Sequence, residues 1–89
     1  VLTDTHCHLD FEKFDPDRAE VLARARQAGV ERILIPGLNL ASSRAAIRLA
    51  ESQPMLFAAV GVHPNEAGDL PADWLEDLRA LAGHARVKA

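Results

Sequence analysis

The sequence predicts an α/β fold: the N-terminal portion of a (β/α)8 TIM barrel, with three β/α units and the start of a fourth strand. Three observations point there. Short apolar runs alternate with helical stretches in the order β-α-β-α-β-α-β, which calls for parallel strands joined by right-handed crossovers. The third run separates into an aliphatic set, Leu56, Ala58, Val60 and Val62, and a second set, Phe57, Ala59, Gly61 and His63. The first set suits a sheet face covered by helices, while Ala59 and Gly61 leave room on the other face. Finally, histidines stand at the C-terminal ends of the first and third strands, the rim where barrel enzymes keep their chemistry. A small doubly wound sheet is the other architecture that this order of elements allows.

The first strand begins at Val1-Leu2-Thr3 and is expected to continue into Asp4-Thr5-His6-Cys7-His8-Leu9-Asp10. Strict alternation then sends Leu2, Asp4, His6 and His8 to one face and Thr3, Thr5 and Cys7 to the other. Two imidazoles at i and i+2 on one face can converge on a single cation, so His6 and His8 are the candidate metal ligands. Asp4, one step behind them, is the candidate supporting carboxylate. It would accept the second ring N–H of a ligating histidine, or bind a metal or water itself. The plainer alternative is a pair of surface histidines at the end of a strand. Cys7 faces away and reads as a small packed residue.

Further along, Asp15-Pro16 has the residue types of a helix cap followed by proline at the first helical position, and Gly29 has the type of a stop. Val21, Leu22, Ala25 and Ala28 recur between them at helical spacing. Asp17 and Glu20 lie early and Arg24 and Arg26 late, the order the helix dipole prefers. Residues 32–35 form a short buried strand stopped by Pro36-Gly37. Asn39 caps a second helix over about 40–51 whose buried face is Ala46, Ile47 and Ala50. The third strand is expected over 55–62. Beyond His63-Pro64-Asn65-Glu66, Pro71 opens a third helix in which Trp74, Leu75, Leu78, Leu81 and Ala82 make one apolar stripe packed against a sheet, and Gly83 ends it. Residues 86–89 look like the start of a fourth strand.

Composition bounds the function. The chain has 89 residues, 48% hydrophobic, a single cysteine and a formal charge of -3. One cysteine excludes an internal disulfide framework and fits a reducing compartment. With no long apolar span and no leader pattern, the expectation is a soluble, cytoplasmic protein with no membrane partner. The acidic balance argues against a broad basic track for nucleic acid, although a local groove around bound cations still accepts phosphates.

Leu2-Thr3-Asp4-Thr5-His6-Cys7-His8-Leu9-Asp10, together with Gly61-Val62-His63-Pro64-Asn65-Glu66-Ala67 after the third strand, resembles the N-terminal part of the TatD family of metal-dependent hydrolases, and the resemblance runs the length of the chain. It implies a barrel of the metal-dependent hydrolase type binding one or two divalent cations (Mg, Mn or Zn). Deoxyribonuclease activity on the phosphodiester bonds of a DNA or nucleotide substrate is the implied reaction. His6 and His8 match the first two metal ligands, and His63 matches a histidine at the substrate site, here taken as the catalytic candidate. The family's glutamate ligand, in a Gly-Glu-x-Gly-Leu-Asp-like segment, and its later histidines and aspartate have no counterpart here. Residues 1–89 are therefore expected to be an N-terminal fragment of one barrel domain, about a third of the roughly 250 residues a barrel needs, and inactive alone. Without the resemblance, His63 reads sooner as a core or loop histidine satisfying a backbone carbonyl, and Asn65 and Glu66 as turn residues.

Two other enzyme families open with a paired-histidine strand: the polymerase-and-histidinol-phosphatase type and the cyclic amidohydrolases. The His63-Pro64 segment favours the TatD-like reading over both. A non-enzymatic alternative is a structural metal-binding module, but closed structural zinc sites use four protein ligands, usually rich in cysteine, and this chain has one.

Overall fold

The computed structural model describes Val1–Ala89, the side chain of Asp69 excepted. Strands and helices alternate as β1 (Leu2–Asp4), α1 (Arg18–Gln27), β2 (Val30–Pro36), α2 (Leu40–Ser52), β3 (Leu56–Ala59) and α3 (Trp74–Ala82), with short 3-10 turns over Glu12–Phe14 and Pro64–Asp69. All the strands pair in parallel, in the spatial order β1-β2-β3. Val87 bridges in parallel to Ala58 at the free edge of β3. There the Lys88 N–H donates to the Ala58 carbonyl and the Ala58 N–H to the Arg86 carbonyl, each at 2.9 Å. The expected fourth strand thus opens where the sequence placed it.

Strand order decides between the two architectures. A doubly wound sheet reverses direction at a switch point and carries helices on both faces. Here each crossover moves one strand further the same way, and the helices pack on one side of the sheet. Leu22 of α1, Ala46, Ile47 and Ala50 of α2, and Ile33, Ile35, Leu56 and Ala58 of the sheet form one buried cluster, with Leu81 of α3 packed against it. The opposite face lies open. Thr3, Thr5, Arg32, Leu34, Phe57 and Lys88 line a cavity of about 360 Å³ there. Sequential parallel strands with one covered face are the pattern of the first units of a (β/α)8 barrel.

Several expected boundaries shift, each for a local reason. β1 stops at Asp4 because the Asp4 carboxylate accepts the His6 N–H at 3.0 Å, a local bond that competes with the strand ladder. Strict alternation fails there too: Thr5 lines the open-face cavity while Cys7 packs against the core. The segment still runs beside β2, since the Cys7 N–H donates to the Leu34 carbonyl at 3.2 Å. α1 begins at Arg18 rather than at Pro16; Asp15 and Pro16 lie in a turn, and the Asp15 carboxylate pairs with Arg18 at 2.8 Å. Ala28 leaves the expected apolar face, exposed at the helix end, while Gly29 takes the left-handed φ of +96° that a C-terminal stop requires. β3 ends at Ala59, not Val62. α3 starts at Trp74, past Pro71, and packs against α2 instead of lying flat on the sheet. Trp74, Leu78 and Leu81 are half-buried, whereas Ala82 is exposed and Leu75 is 50% exposed.

α2 follows its sequence most closely. The Asn39 side chain accepts the Ser42 N–H at 2.8 Å and the Ser42 hydroxyl accepts the Asn39 N–H at 3.0 Å, a reciprocal capping box. One turn in, the fully buried Ser43 hydroxyl bonds both the N–H (3.3 Å) and the carbonyl (3.4 Å) of Gly61. This ties α2 to the segment that carries His63. Gly37 packs directly on Ser43: a Cβ at Gly37 would stand 2.8 Å from Ser43 Cα. Gly37→Ala is therefore expected to cost about 1–3 kcal/mol, the range for overpacking a filled core. Urea unfolding checks this, and an unchanged midpoint would show that the contact relaxes freely.

Candidate metal centre

Because the strands are parallel, the residues after β1 and β3 emerge at the same end of the sheet, with β2 between them. His6 and His8 follow β1. Their rings meet edge to face, with centroids 4.9 Å apart and planes at 87°. His6 is exposed; its backbone is fixed by the Asp4 carboxylate. His8 is half-buried and stacks on Phe11, with centroids 4.7 Å apart and planes at 16°. Its Nδ1 is buried with no hydrogen-bond partner among the described residues. A buried imidazole nitrogen without a partner is costly unless something outside the protein's own hydrogen bonds satisfies it, and a metal ion does so.

The Asp4 carboxylate bonds the backbone of His6, so its link to the pair runs through chain geometry rather than through a ring N–H. Cys7, between the histidines, is half-buried and packs against the core. Burial raises its thiol pKa above the ordinary value, and the nearby Asp4 and Asp10 carboxylates raise it further against a smaller opposing effect of Lys13. The sulfur is thus kept as a thiol near neutral pH. Among the described residues no group of three or more His, Cys, Asp or Glu side chains is placed to hold a metal. The donor set fits a metal only in part: two imidazole rings stand edge to face, and a third donor is not within this cluster.

His63 stands apart from the pair, beyond β3 and across two strand spacings, roughly 10 Å. Its N–H donates to the Leu38 carbonyl at 2.7 Å, so the loops after β2 and β3 hold each other. Its Nδ1 accepts the Asn65 N–H at 3.1 Å at the head of the turn Pro64–Asp69. A nitrogen that accepts carries no proton, so the neutral ring has its proton on Nε2, and His63 is exposed. Asn65 and Glu66 serve the turn through their backbone: the Glu66 N–H donates to the His63 carbonyl at 2.8 Å.

Two contributors escaped the sequence reading. Phe11 walls one face of His8. Arg18 reaches back from the start of α1 to the carbonyls of Leu9 (2.6 Å) and Phe11 (3.1 Å) and to Asp15, fixing the turn that follows the histidines. The available signal was charge. A helix N-terminus favours acids, so an arginine in the first turn of α1 opposes the dipole and marks a residue placed for another purpose.

These features define a class: a unit of parallel β/α construction that presents imidazoles at the C-terminal rim of a barrel. The model of the TatD related DNase family matches residues 3–89. The chain belongs to that family. It is 36% identical over 89 residues to the uncharacterized metal-dependent hydrolase YabD of Bacillus subtilis, covering 100% of this chain and 35% of YabD. It is 40% identical over 86 residues to the 3'-5' ssDNA/RNA exonuclease TatD of Citrobacter rodentium, covering 97% of this chain and 33% of that protein. The crystal structure of YjjV, a TatD homologue from Escherichia coli, superposes with a TM-score of 0.86 at 39% identity, over 99% of this chain and 35% of that one. The chain thus spans about a third of the length of the relatives it matches. No helix is long and apolar enough to cross a membrane among the described residues.

The His63 geometry carries a direct check. Nitrogen-15 NMR is expected to show His63 protonated at Nε2 and bare at Nδ1 once the ring is neutral. A proton on Nδ1 would overturn the bond from Asn65.

Proposed function

We propose that these residues form the opening portion of a divalent-metal-dependent hydrolase of the TatD type, cleaving phosphodiester bonds of single-stranded DNA from strand ends. The observation that carries this reading is the contact of the His6 and His8 rings at 4.9 Å with the His8 Nδ1 buried and unpartnered. A divalent ion, Mg, Mn or Zn, singly or as a pair, supplies Lewis acidity toward a phosphoryl oxygen and acidifies bound water. His6 and His8 would hold it, with further donors from the two thirds of the barrel that the matched relatives have and this chain does not cover. Asp4 sets the backbone at His6, and Phe11 sets the plane of His8. His63 presents an Nε2–H donor at the same end of the sheet, suited to a phosphate oxygen or to the leaving group.

Charge supports strand ends over duplex interiors. At -3, the chain offers no broad excess of Lys and Arg to neutralise many phosphates at once. A metal pocket at a barrel rim needs to attract only the scissile phosphate, and a free end enters it without the few kcal/mol of unpairing that an internal base requires. Several relatives are named 3'-5' ssDNA/RNA exonucleases, which supports this choice.

The test gives the complete, metal-loaded protein a linear single strand and a closed circle of equal length. Nucleotides are expected from the linear strand, with the circle left intact. Equal loss of the circle would make the protein an endonuclease, and release from neither would remove the phosphodiester reading. Separately, His6→Ala or His8→Ala is expected to weaken metal binding about tenfold or more by calorimetry, since each change removes one of a few coordinate bonds. Full metal content in the double variant would remove the two histidines from the site.

A further inference from the structure

We infer that Ser42, in the first turn of α2, is a positioning residue for His63: its hydroxyl orients the peptide group that holds the His63 main chain. The role rests on the reading of His63 as a donor to the substrate, and it names the residue that sets the place of that donor. The His63 N–H donates to the Leu38 carbonyl at 2.7 Å. That carbonyl and the Asn39 N–H belong to one peptide unit, planar and trans, with the two groups on opposite edges. Whatever fixes the Asn39 N–H therefore fixes the direction of the Leu38 carbonyl. The Asn39 N–H donates to the Ser42 hydroxyl oxygen at 3.0 Å. Ser42 is thus joined to His63 through one rigid group with a hydrogen bond at either edge, a chain in which each bond polarises the next.

Helix capping alone does not account for this arrangement. A capping box requires only that the N3 side chain accept the N–H of the cap residue. Here the Ser42 oxygen accepts a second bond, from the Leu38 N–H, and at 2.7 Å it is shorter than the cap bond. The hydroxyl proton goes to the Asn39 carbonyl at 3.3 Å, so both lone pairs and the one proton are used. The peptide units on either side of Leu38 are held from one atom. Leu38 lies beyond the end of β2, where the strand ladder no longer sets the backbone, and the hydroxyl takes over that function. From His63 onward the ring is fixed locally, by the restricted φ of Pro64 and by the Asn65 N–H on Nδ1 at 3.1 Å. The ring therefore moves with its main chain, and a tilt of the peptide between Leu38 and Asn39 displaces the Nε2–H. Rates fall steeply with such a misplacement, whereas a metal held at His6 and His8, after β1, is unaffected.

The experiment uses the complete, metal-loaded protein and a linear single-stranded oligonucleotide. Ser42→Ala is expected to lower kcat by about fivefold or more at unchanged metal affinity, and Ser42→Thr, which keeps the hydroxyl, to restore most of it. Asn39→Ala is the comparison for a damaged cap, since it removes the carboxamide that accepts the Ser42 N–H at 2.8 Å and leaves the Asn39 N–H and the Ser42 hydroxyl in place. It is expected to lower the melting temperature as Ser42→Ala does and to keep kcat. In a His63→Ala background Ser42→Ala is expected to bring no further loss, as it must if it acts through His63. Amide hydrogen exchange at His63 reads the same link without substrate: about fivefold faster or more in Ser42→Ala, and as in the wild type in Asn39→Ala and Ser42→Thr. Equal losses of kcat in Ser42→Ala and Asn39→Ala, or an undiminished loss in the His63→Ala background, overturn the positioning role and leave Ser42 a helix cap. Should the wild type leave the oligonucleotide intact, or His63→Ala cleave it at the wild-type rate, the reading of His63 fails by itself. The exchange rate then decides alone, and equal protection of His63 in the wild type and in Ser42→Ala overturns the role of Ser42.

Discussion

Burial of one half of β2 and β3 beneath α2 is the constraint on which the other features depend. Ile33, Ile35, Leu56 and Ala58 alternate with open-face residues, and a slip of one position in either strand would turn the aliphatic set to water. The pairing of Ile33 with Leu56 and of Ile35 with Ala58 is therefore fixed by the hydrophobic effect rather than by hydrogen bonds, which any register would satisfy. Once it is fixed, the ends of the strands are fixed too. The loops after β2 and β3 then meet, with the His63 N–H on the Leu38 carbonyl and the Ser43 hydroxyl on Gly61. His63 is thus held by the packing of a helix several residues away.

The loop after β1 is held differently. β1 contributes three residues, all exposed, and the core anchor of that region is Leu9, almost wholly buried beyond the histidines. Between these points the chain bends at Thr5 and turns at 8–11, where the Phe11 N–H meets the His8 carbonyl. Arg18 closes the turn from the far side by bonding the Leu9 and Phe11 carbonyls. Three long side chains would hold such a segment at a high entropic cost; backbone bonds and one planar guanidinium hold it at a lower one.

Legibility in the sequence follows from the range of the forces involved. α2 could be read nearly to the residue because its cap, its apolar face and its stop are all local: Asn39 and Ser42 satisfy each other's backbone, and Ala46, Ile47 and Ala50 recur at helical spacing. Gly29 was legible for the same reason. The start of α1 was not, because Asp15 found an ion pair with Arg18 that drew it out of the cap position. The helical stripe of α3 holds at Trp74, Leu78 and Leu81 but not at Leu75 and Ala82, because the partner of a stripe is a tertiary fact, and here α2 takes that role. At the site, period-2 alternation gave the histidine pair, yet an Asx-type bond at Asp4 broke the alternation one residue before it mattered. Phe11 left no signal, and Arg18 only a charge opposed to the helix dipole, because their roles arise when the turn folds them back onto His8 and onto the backbone.

The two kinds of support make the fold and the site separable in experiment. At Gly37 and Ser43 atoms are packed against backbone with no free volume, so changes there strain the core before they touch chemistry. At His6, His63 and Phe11 the side chains are exposed and their positions come from main-chain bonds that survive side-chain replacement. Truncating His6 or His63 would alter what the rim can bind while removing almost no buried area, whereas truncating Phe11 would also uncover the His8 ring. His8 is the exception, half-buried between His6 and Phe11 with an unpartnered nitrogen, and it is where stability and ligation meet. A group that costs stability in the empty protein and is satisfied only by a ligand couples binding to folding. Metal is thereby expected to raise the melting temperature of the complete wild type more than that of a His8→Ala variant, a difference measurable by calorimetry with and without the ion. Equal stabilisation of the two would mean that His8 contributes packing and no coordinate bond.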